Sequence, residues 1–187
     1  VMISPYISGE VVDLYVKEGD MVKKGDLLAK IDPEIYISNF ERAEANLSSQ
    51  KANLANAKAR VAQAEAQFMN AKLNYERNKS LWEQKVISDA DFDAIKSNYQ
   101  VAQAEVDAAK QSVASAQFAV KSAEASLKEA KENLTRTTIF SPNNGKVSKL
   151  NVEVGERVTG ASQFSAGTEI MRIADLNDME ANVEVNE

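Results

Sequence analysis

Few side chains in this 187-residue sequence are suited to catalysis or metal binding. It contains no His and no Cys, which excludes cysteine-based zinc sites, thiol nucleophiles, Ser-His triads and histidine general bases. Asp89, Asp91 and Asp93 alternate like part of a calcium-binding loop, but the glycine and the terminal glutamate of such a loop do not follow. The sequence therefore predicts no enzyme, no cofactor and no metal site.

Net charge and hydropathy narrow the possible partners. With 22 basic and 28 acidic residues the chain carries a net charge of −6, which argues against nucleic acid as a partner. No segment approaches the roughly 18–20 apolar residues that span a bilayer. The first residues, Val1 to Pro5, lack the basic and apolar regions of a signal peptide. We expect either a soluble protein or a fragment whose targeting segment has been removed.

Glycine and proline divide the chain into three parts. All seven Gly and all three Pro lie in the outer parts, and residues 34–141 contain neither. Because these residues are the strongest breakers of regular structure, the distribution predicts turn-rich flanks around one long helical segment. The middle is rich in Ala, Glu, Lys, Gln and Leu, which favour helix.

Within the middle segment, large apolar residues recur every seven positions in two series. They are Phe40, Leu47, Leu54, Val61, Phe68, Tyr75 and Trp82 in the first series, and Phe92, Tyr99, Val106, Val113, Val120, Leu127 and Leu134 in the second. A small or polar residue, mostly Ala, lies three or four positions from each. Heptads of this kind predict a coiled coil. The series mirror each other about residue 87, which predicts an antiparallel hairpin with arms of roughly 50 residues, about 75 Å long.

The predicted turn of the hairpin runs from Glu83 to Ser88. Ser88 followed by Asp91 is typical of a helix start, where side-chain oxygens satisfy unpaired backbone N–H groups. Leu73 and Phe118 fall outside the heptad series, so the hairpin has apolar residues on its outer faces. Several hairpins packed side by side would cover them.

The two flanks repeat each other. The glycines and apolar residues at Gly9, Val11 and Gly19 recur 136 positions later, and those from Gly25 to Ile31 recur 142 positions later. The second copy therefore has six inserted residues, around positions 161–166. Alternating apolar residues between glycine turns predict short strands. Two such half-motifs predict one small β domain that is assembled from both ends of the chain.

The first flank resembles the biotinyl/lipoyl fold, a flattened barrel of two intertwined half-motifs. The resemblance rests on the pattern from Gly9-x-Val11 through Gly19-Asp20 to Ile31-Asp32. In carrier domains of this fold, a modified lysine lies on the turn between the halves. Here that place holds Ile31-Asp32-Pro33-Glu34, and Lys30 falls inside the preceding strand pattern. A lipoyl or biotinyl carrier is thus the weaker alternative, which an acyl-lysine adduct in a mass spectrum would support.

A lipoyl-like domain split by a long hairpin is similar to the periplasmic adaptor, or membrane fusion protein, family of the HlyD type. The implied fold is α+β, with a long antiparallel α-helical coiled-coil hairpin inserted between the halves of a lipoyl-like β-sandwich or barrel. We expect the first lipoyl half at 1–32, the hairpin at 33–137 with its tip at about 83–91, the second half at 138–175, and the beginning of a truncated β-barrel domain at 176–187.

The resemblance also implies a function. Such adaptors bridge an inner-membrane ABC or RND transporter to a TolC-type outer-membrane channel in tripartite efflux pumps of Gram-negative bacteria. The MacA-like or RND-associated branch is the most similar one. Its members assemble as hexamers in the periplasm, are anchored to the inner membrane and form part of the export conduit. An adaptor of type I protein secretion shares this architecture and remains an alternative, as does a coiled-coil scaffold without a transport role.

Two candidate sites follow from this resemblance. The branch carries Arg-x3-Leu-x6-Ser at the hairpin tip, where it docks with the channel, and Arg77, Leu81 and Ser88 have this spacing. Leu81 could instead simply pack beside the seam, and Ser88 could act mainly as a helix cap. In the same branch, a glutamine in a loop of the lipoyl domain gates the central channel, and Gln163 in the six-residue insertion is the candidate. An exposed polar loop is the alternative interpretation.

Overall fold

The computed structural model of the chain describes residues 1–161 and 167–174. Within them the strands are β1 Met2–Ile3, β2 Gly9–Leu14, β3 Met21–Val22, β4 Leu27–Ile31, β5 Thr138–Phe140, β6 Gly145–Leu150, β7 Arg157–Val158 and β8 Met171–Ala174, and the helices are α1 Glu34–Glu83 and α2 Asp89–Thr135. The chain divides into two compact units. We call residues 1–41 together with those from Lys128 onward the β unit, and Arg42–Leu127 the hairpin unit.

The β unit consists of two four-stranded sheets, and each takes strands from both ends of the chain. One sheet has the order β1-β8-β6-β3 and the other the order β5-β4-β2-β7, with antiparallel pairing between neighbours. Neither flank could build a complete sheet alone. The α+β fold predicted from the two half-motifs, with the hairpin inserted between them, is therefore confirmed.

The two sheets are related by the sequence repeat. Exchanging β1 with β5, β2 with β6, β3 with β7 and β4 with β8 converts the strand order of one sheet into that of the other. The core follows the same exchange, and its equivalent pairs are Ile3 and Ile139, Val11 and Val147, Val22 and Val158, Leu28 and Ile170, and Ile31 and Ile173. All of these side chains are buried. Each half-motif thus contributes equivalent apolar side chains to a common core.

Gly9 and Gly145 are equivalent glycines at which the neighbouring strand of the same sheet lies close. A Cβ atom on Gly9 would overlap the side chain of Ile31. One on Gly145 would lie 2.5 Å from the carbonyl oxygen of Ala174 and 2.7 Å from Cγ2 of Ile173. Ile31 and Ile173 are themselves equivalent, so the same close contact occurs once in each half.

α1 begins where the chain leaves β4. The carboxylate of Asp32 accepts a hydrogen bond of 3.0 Å from the backbone N–H of Glu34, and Pro33 occupies the first turn, where its missing N–H is not needed. From there to the end of α2 neither glycine nor proline interrupts the helices. Neither helix of the described residues has an apolar stretch sufficient to cross a membrane.

The heptad pattern places the seam between the two helices. Every predicted large or small seam position is buried or half-buried except Trp82, which is 38% exposed. Ring contacts join Phe68 to Tyr99, Tyr99 to Tyr75, Tyr75 to Phe92 and Phe92 to Trp82, at centroid distances of 4.7–5.5 Å. Because residues later in α1 meet residues earlier in α2, the helices run antiparallel, as predicted.

The outer faces of the hairpin carry the residues that the heptads leave out. Phe118 on α2 is 73% exposed and Leu73 on α1 is 48% exposed. On α1 the positions Ala45, Ala52, Ala59 and Ala66 precede Leu73 at intervals of seven and are all exposed. One face of α1 is therefore a row of alanines that ends in a leucine.

Candidate docking site at the hairpin tip

The tip of the hairpin is a turn held by two backbone hydrogen bonds. The N–H of Val86 donates to the carbonyl of Leu81 at 2.9 Å, and the N–H of Lys85 donates to the carbonyl of Trp82 at 2.8 Å. Lys85 has a φ of 61°, in the left-handed region. This combination is a Schellman motif, a helix end at which glycine is usual. In this protein Lys85 occupies the left-handed position at which the chain turns, where glycine is the usual residue.

Ser88 caps the second helix. Its Oγ accepts a hydrogen bond of 3.2 Å from the N–H of Asp91 and donates one of 2.6 Å to Oδ2 of Asp91. The helix-start signature predicted from Ser88 and Asp91 is thereby confirmed. Ser88 is exposed, so the capping hydroxyl lies at the surface of the tip.

Arg77 and Leu81 lie four residues apart on α1 and therefore on one face of that helix. Nε of Arg77 donates to the carbonyl of Leu73 at 3.2 Å. Within the described part of the chain Arg77 forms no ion pair, so the two Nη groups of its guanidinium carry no carboxylate partner. Leu81 is 39% exposed beside the seam. This face offers a planar cation next to an apolar side chain.

A side-chain contact also joins the two helices at the tip. Nε1 of Trp82 donates a hydrogen bond of 2.7 Å to Oδ1 of Asp89. The indole of Trp82 stacks on the ring of Phe92, with centroids 4.7 Å apart and planes inclined by 9°. Trp82 is thus held at one ring face and at its polar edge.

An open cleft of about 650 Å³ lies at the turn. It is lined by Trp82, Glu83, Lys85, Ile87, Ser88 and Asp89. Of the three predicted tip residues, only Ser88 lines this cleft, whereas Arg77 and Leu81 lie on a helical face of α1. The structure places all three near the end of the hairpin unit but not in a single pocket. Such a surface is suited to contact with another protein.

The other residues that the sequence pointed to lie in the two flanks of the chain. Gln163 lies outside the described residues, as does the expected start of a further domain at 176–187. Lys30 lies within β4 and pairs with Asp13 of β2 and Thr138 of β5, so it is in the sheet and not on a turn. Across the described ranges, no cluster of three or more acidic side chains could hold a metal ion.

Sequence reasoning treated Trp82 as a seam residue and Asp89 as part of an incomplete calcium-loop pattern, and it missed the hydrogen bond between them. The tryptophan could have predicted this bond. Trp82 is the last residue of the first apolar series, and an indole N–H needs a hydrogen-bond acceptor when its ring is packed. Asp89 is the acid at the first position of the next helix.

The chain matches the family model described as the RND MFP barrel-sandwich hybrid domain over residues 1–168. It is 32% identical over 185 residues to the macrolide export protein MacA of Escherichia coli O157:H7, a match covering 99% of this chain and 45% of that protein. It is 30% identical over 192 residues to the colistin resistance protein EmrA of Acinetobacter baumannii, covering 88% of this chain and 54% of that protein. The crystal structure of MacA from Actinobacillus actinomycetemcomitans is similar with a TM-score of 0.55 and 32% identity, covering 94% of this chain and 49% of that one. The chain thus spans about half the length of these relatives.

Proposed function

The chain belongs to the family of RND membrane fusion proteins, and on that premise we propose that it is part of a periplasmic adaptor subunit of a tripartite efflux pump. In this proposal the adaptor bridges an inner-membrane ABC or RND transporter to a TolC-type outer-membrane channel and forms part of the export conduit. It works in the periplasm of a Gram-negative bacterium, anchored to the inner membrane in the full-length protein. Relatives named for macrolide export and colistin resistance support an export role.

The observation that carries this proposal is the architecture of the chain. A β unit built from both ends of the sequence encloses, in chain order, a two-helix hairpin whose tip exposes Arg77, Leu81 and Ser88. Nothing in the tip is arranged for chemistry on a small molecule, whereas a cation, an apolar side chain and a surface hydroxyl suit contact with a protein. We assign these three residues to docking with the channel.

Ser88 has two compatible roles in this proposal. Its hydroxyl is engaged by Asp91 through both a donated and an accepted bond. A docking contact would therefore use the remaining lone pair of Oγ, while the cap holds the residue in place. Arg77 and Leu81 are expected to supply most of the binding free energy, since Arg is enriched among the residues that dominate protein interfaces and an aliphatic side chain buried at the centre of an interface acts as an anchor.

The proposed assembly is a homo-oligomer, most simply a hexamer, in which hairpins line up as a tube. The outer faces of the hairpin support lateral packing. The alanine row on α1 would admit a neighbouring helix closely, and Phe118 on α2 is a large apolar residue that is 73% exposed. Exposed apolar side chains of this kind mark interaction surfaces. Gln163 is proposed as the channel gate within the ring of β units.

The docking assignment is tested by alanine substitution at the tip. Arg77→Ala and Leu81→Ala should each reduce drug resistance in a strain that depends on this adaptor, and should reduce cross-linking of the hairpin tip to the channel about tenfold or more, as expected for interface anchors. Lys79→Ala is the matched control, because Lys79 is an exposed base two residues from Arg77 and forms no ion pair with any residue of 1–161 or 167–174. Unchanged resistance and cross-linking in both tip variants would remove the docking assignment.

A further inference from the structure

One side-chain contact at the tip connects the last turn of α1 to the first residue of α2. The indole N–H of Trp82 donates to Oδ1 of Asp89 at 2.7 Å, and the indole lies almost parallel to the ring of Phe92. The acceptor is a carboxylate, which makes the bond stronger than one between neutral groups. The contact spans the turn between Glu83, where α1 ends, and Asp89, where α2 begins.

The position of this contact along the chain matters more than its strength. Trp82 directly follows Leu81, and Asp89 directly follows Ser88. A bond between Trp82 and Asp89 therefore restricts how far Leu81 and Ser88 can separate. The two residues belong to different helices, and between them the chain passes through the left-handed Lys85.

Apolar packing alone does not require tryptophan at this place. Trp82 is 38% exposed, whereas every other seam position is buried or half-buried. A phenylalanine or leucine would fill the last seam position as well. The indole, unlike either of these side chains, combines an apolar ring for Phe92 with a donor that reaches Asp89.

We propose that Trp82 and Asp89 form a latch that positions Leu81 and Ser88 for docking, so that the binding surface at the tip exists before the partner arrives. Both are positioning residues that need not touch the partner. The inference rests on the proposed docking function. Preorganisation of this kind raises affinity because the turn does not have to be ordered on binding.

The test measures binding of the full-length protein to a purified TolC-type outer-membrane channel from the same genome, in detergent. Trp82→Phe keeps the ring stack and removes the donor, and Asp89→Ala removes the acceptor. Each should weaken binding by about three- to tenfold, since each removes one hydrogen bond to a charged group and only part of the free energy of that bond contributes to docking. The double variant should bind no more weakly than either single variant, because both break the same contact.

Two further variants separate a latch from a general effect of charge. Asp89→Asn keeps an acceptor oxygen and should recover most of the binding that Asp89→Ala loses. Asp93→Ala removes an exposed acid one turn further along α2 and should bind like the unchanged protein. Trp82 is the single tryptophan of the 187-residue sequence, so the fluorescence of this chain, measured without the rest of the protein, reports the tip directly. Its emission should shift in Asp89→Ala and not in Asp93→Ala.

The binding measurements distinguish failure of the latch from failure of the docking function. The latch is overturned if Trp82→Phe binds normally while Arg77→Ala binds weakly, or if Asp89→Asn binds as poorly as Asp89→Ala. If Arg77→Ala also binds normally, the docking function itself fails, and that result is distinct from failure of the latch. Weaker binding in Trp82→Phe and Asp89→Ala, with recovery in Asp89→Asn, supports the proposal.

Discussion

At the scale of single residues, the turn at the tip depends on the backbone of Lys85. Its positive φ places the N–H groups of Lys85 and Val86 over the carbonyls of Trp82 and Leu81. Residues with a Cβ atom adopt this conformation at a cost, because the Cβ atom approaches the neighbouring carbonyl oxygen. The hydrogen bonds of the Schellman motif offset that cost here.

We predict that Lys85→Gly stabilises the protein by about 0.5–1 kcal/mol. Glycine adopts a positive φ without the Cβ penalty, and part of this gain is lost to the greater freedom of glycine in the unfolded chain. The measurement is the free energy of unfolding in urea. Lys85→Val is the opposite control, since a β-branched residue is least tolerated in this conformation. Destabilisation by glycine would show that the lysine side chain contributes contacts that outweigh its backbone cost.

At the scale of elements, the two helices are held by a seam that the heptad pattern describes position by position. The half nearest the tip is aromatic, and Tyr99 of α2 packs between Phe68 and Tyr75 of α1 at 5.3 and 4.9 Å. Two alanines of the small series in this half, Ala71 and Ala102, are buried. Ring contacts between the large residues of the two helices thus hold this half of the seam together.

Tyr99→Ala should destabilise the hairpin by about 2–3 kcal/mol. The substitution removes two ring contacts and leaves a cavity in the seam. Phe118→Ala is the matched control, because it deletes an aromatic residue of the same helix that is 73% exposed, and its effect should stay within about 0.5 kcal/mol. Thermal unfolding followed by helical circular dichroism measures both. Equal effects would contradict the assignment of Tyr99 to the seam.

At the scale of the whole molecule, the two half-motifs of the sequence repeat are separated by the helical hairpin inserted between them. Each sheet of the β unit takes two strands from before the hairpin and two from after it. The N–H of Ile31 donates to the carbonyl of Thr137 at 2.8 Å, so the end of β4 and the start of β5 are neighbours. A long insertion between such points costs little, since loop-closure entropy grows slowly with length.

We expect the two sheets of the β unit to form when residues 34–135, which include the helical residues of that unit, are replaced by a short turn of about five Gly and Ser residues, because β4 and β5 are already antiparallel neighbours. Far-UV circular dichroism should lose its helical signal and retain a cooperative β transition. Some stability should be lost with Tyr36, whose hydroxyl donates to the carbonyl of Ser8 at 2.7 Å. A chain ending at Arg136 is the control and should form neither sheet. Failure of the shortened chain to fold would mean that the hairpin stabilises the β unit.

The sequence alone determined the type and pairing of the main elements. The seven-residue spacing of Phe40 to Trp82 and of Phe92 to Leu134 defined the seam, and its mirror symmetry defined the antiparallel turn, because helical periodicity is a local property. The recurrence of Gly9, Val11 and Gly19 near the other end predicted one shared β domain. The spacing of Arg77, Leu81 and Ser88 identified candidates for docking, while their role as a docking site stays a prediction.

Only the tertiary structure decided how strands from the two flanks alternate within each sheet and which polar groups meet at the tip. Strand order depends on pairing between residues more than a hundred positions apart, which no local pattern encodes. The hydrogen bond from Trp82 to Asp89 depends on the path of the turn through Lys85. Backbone hydrogen bonds and side-chain packing together set that path. The sequence therefore shows that both residues are present, but it does not predict that they are in contact.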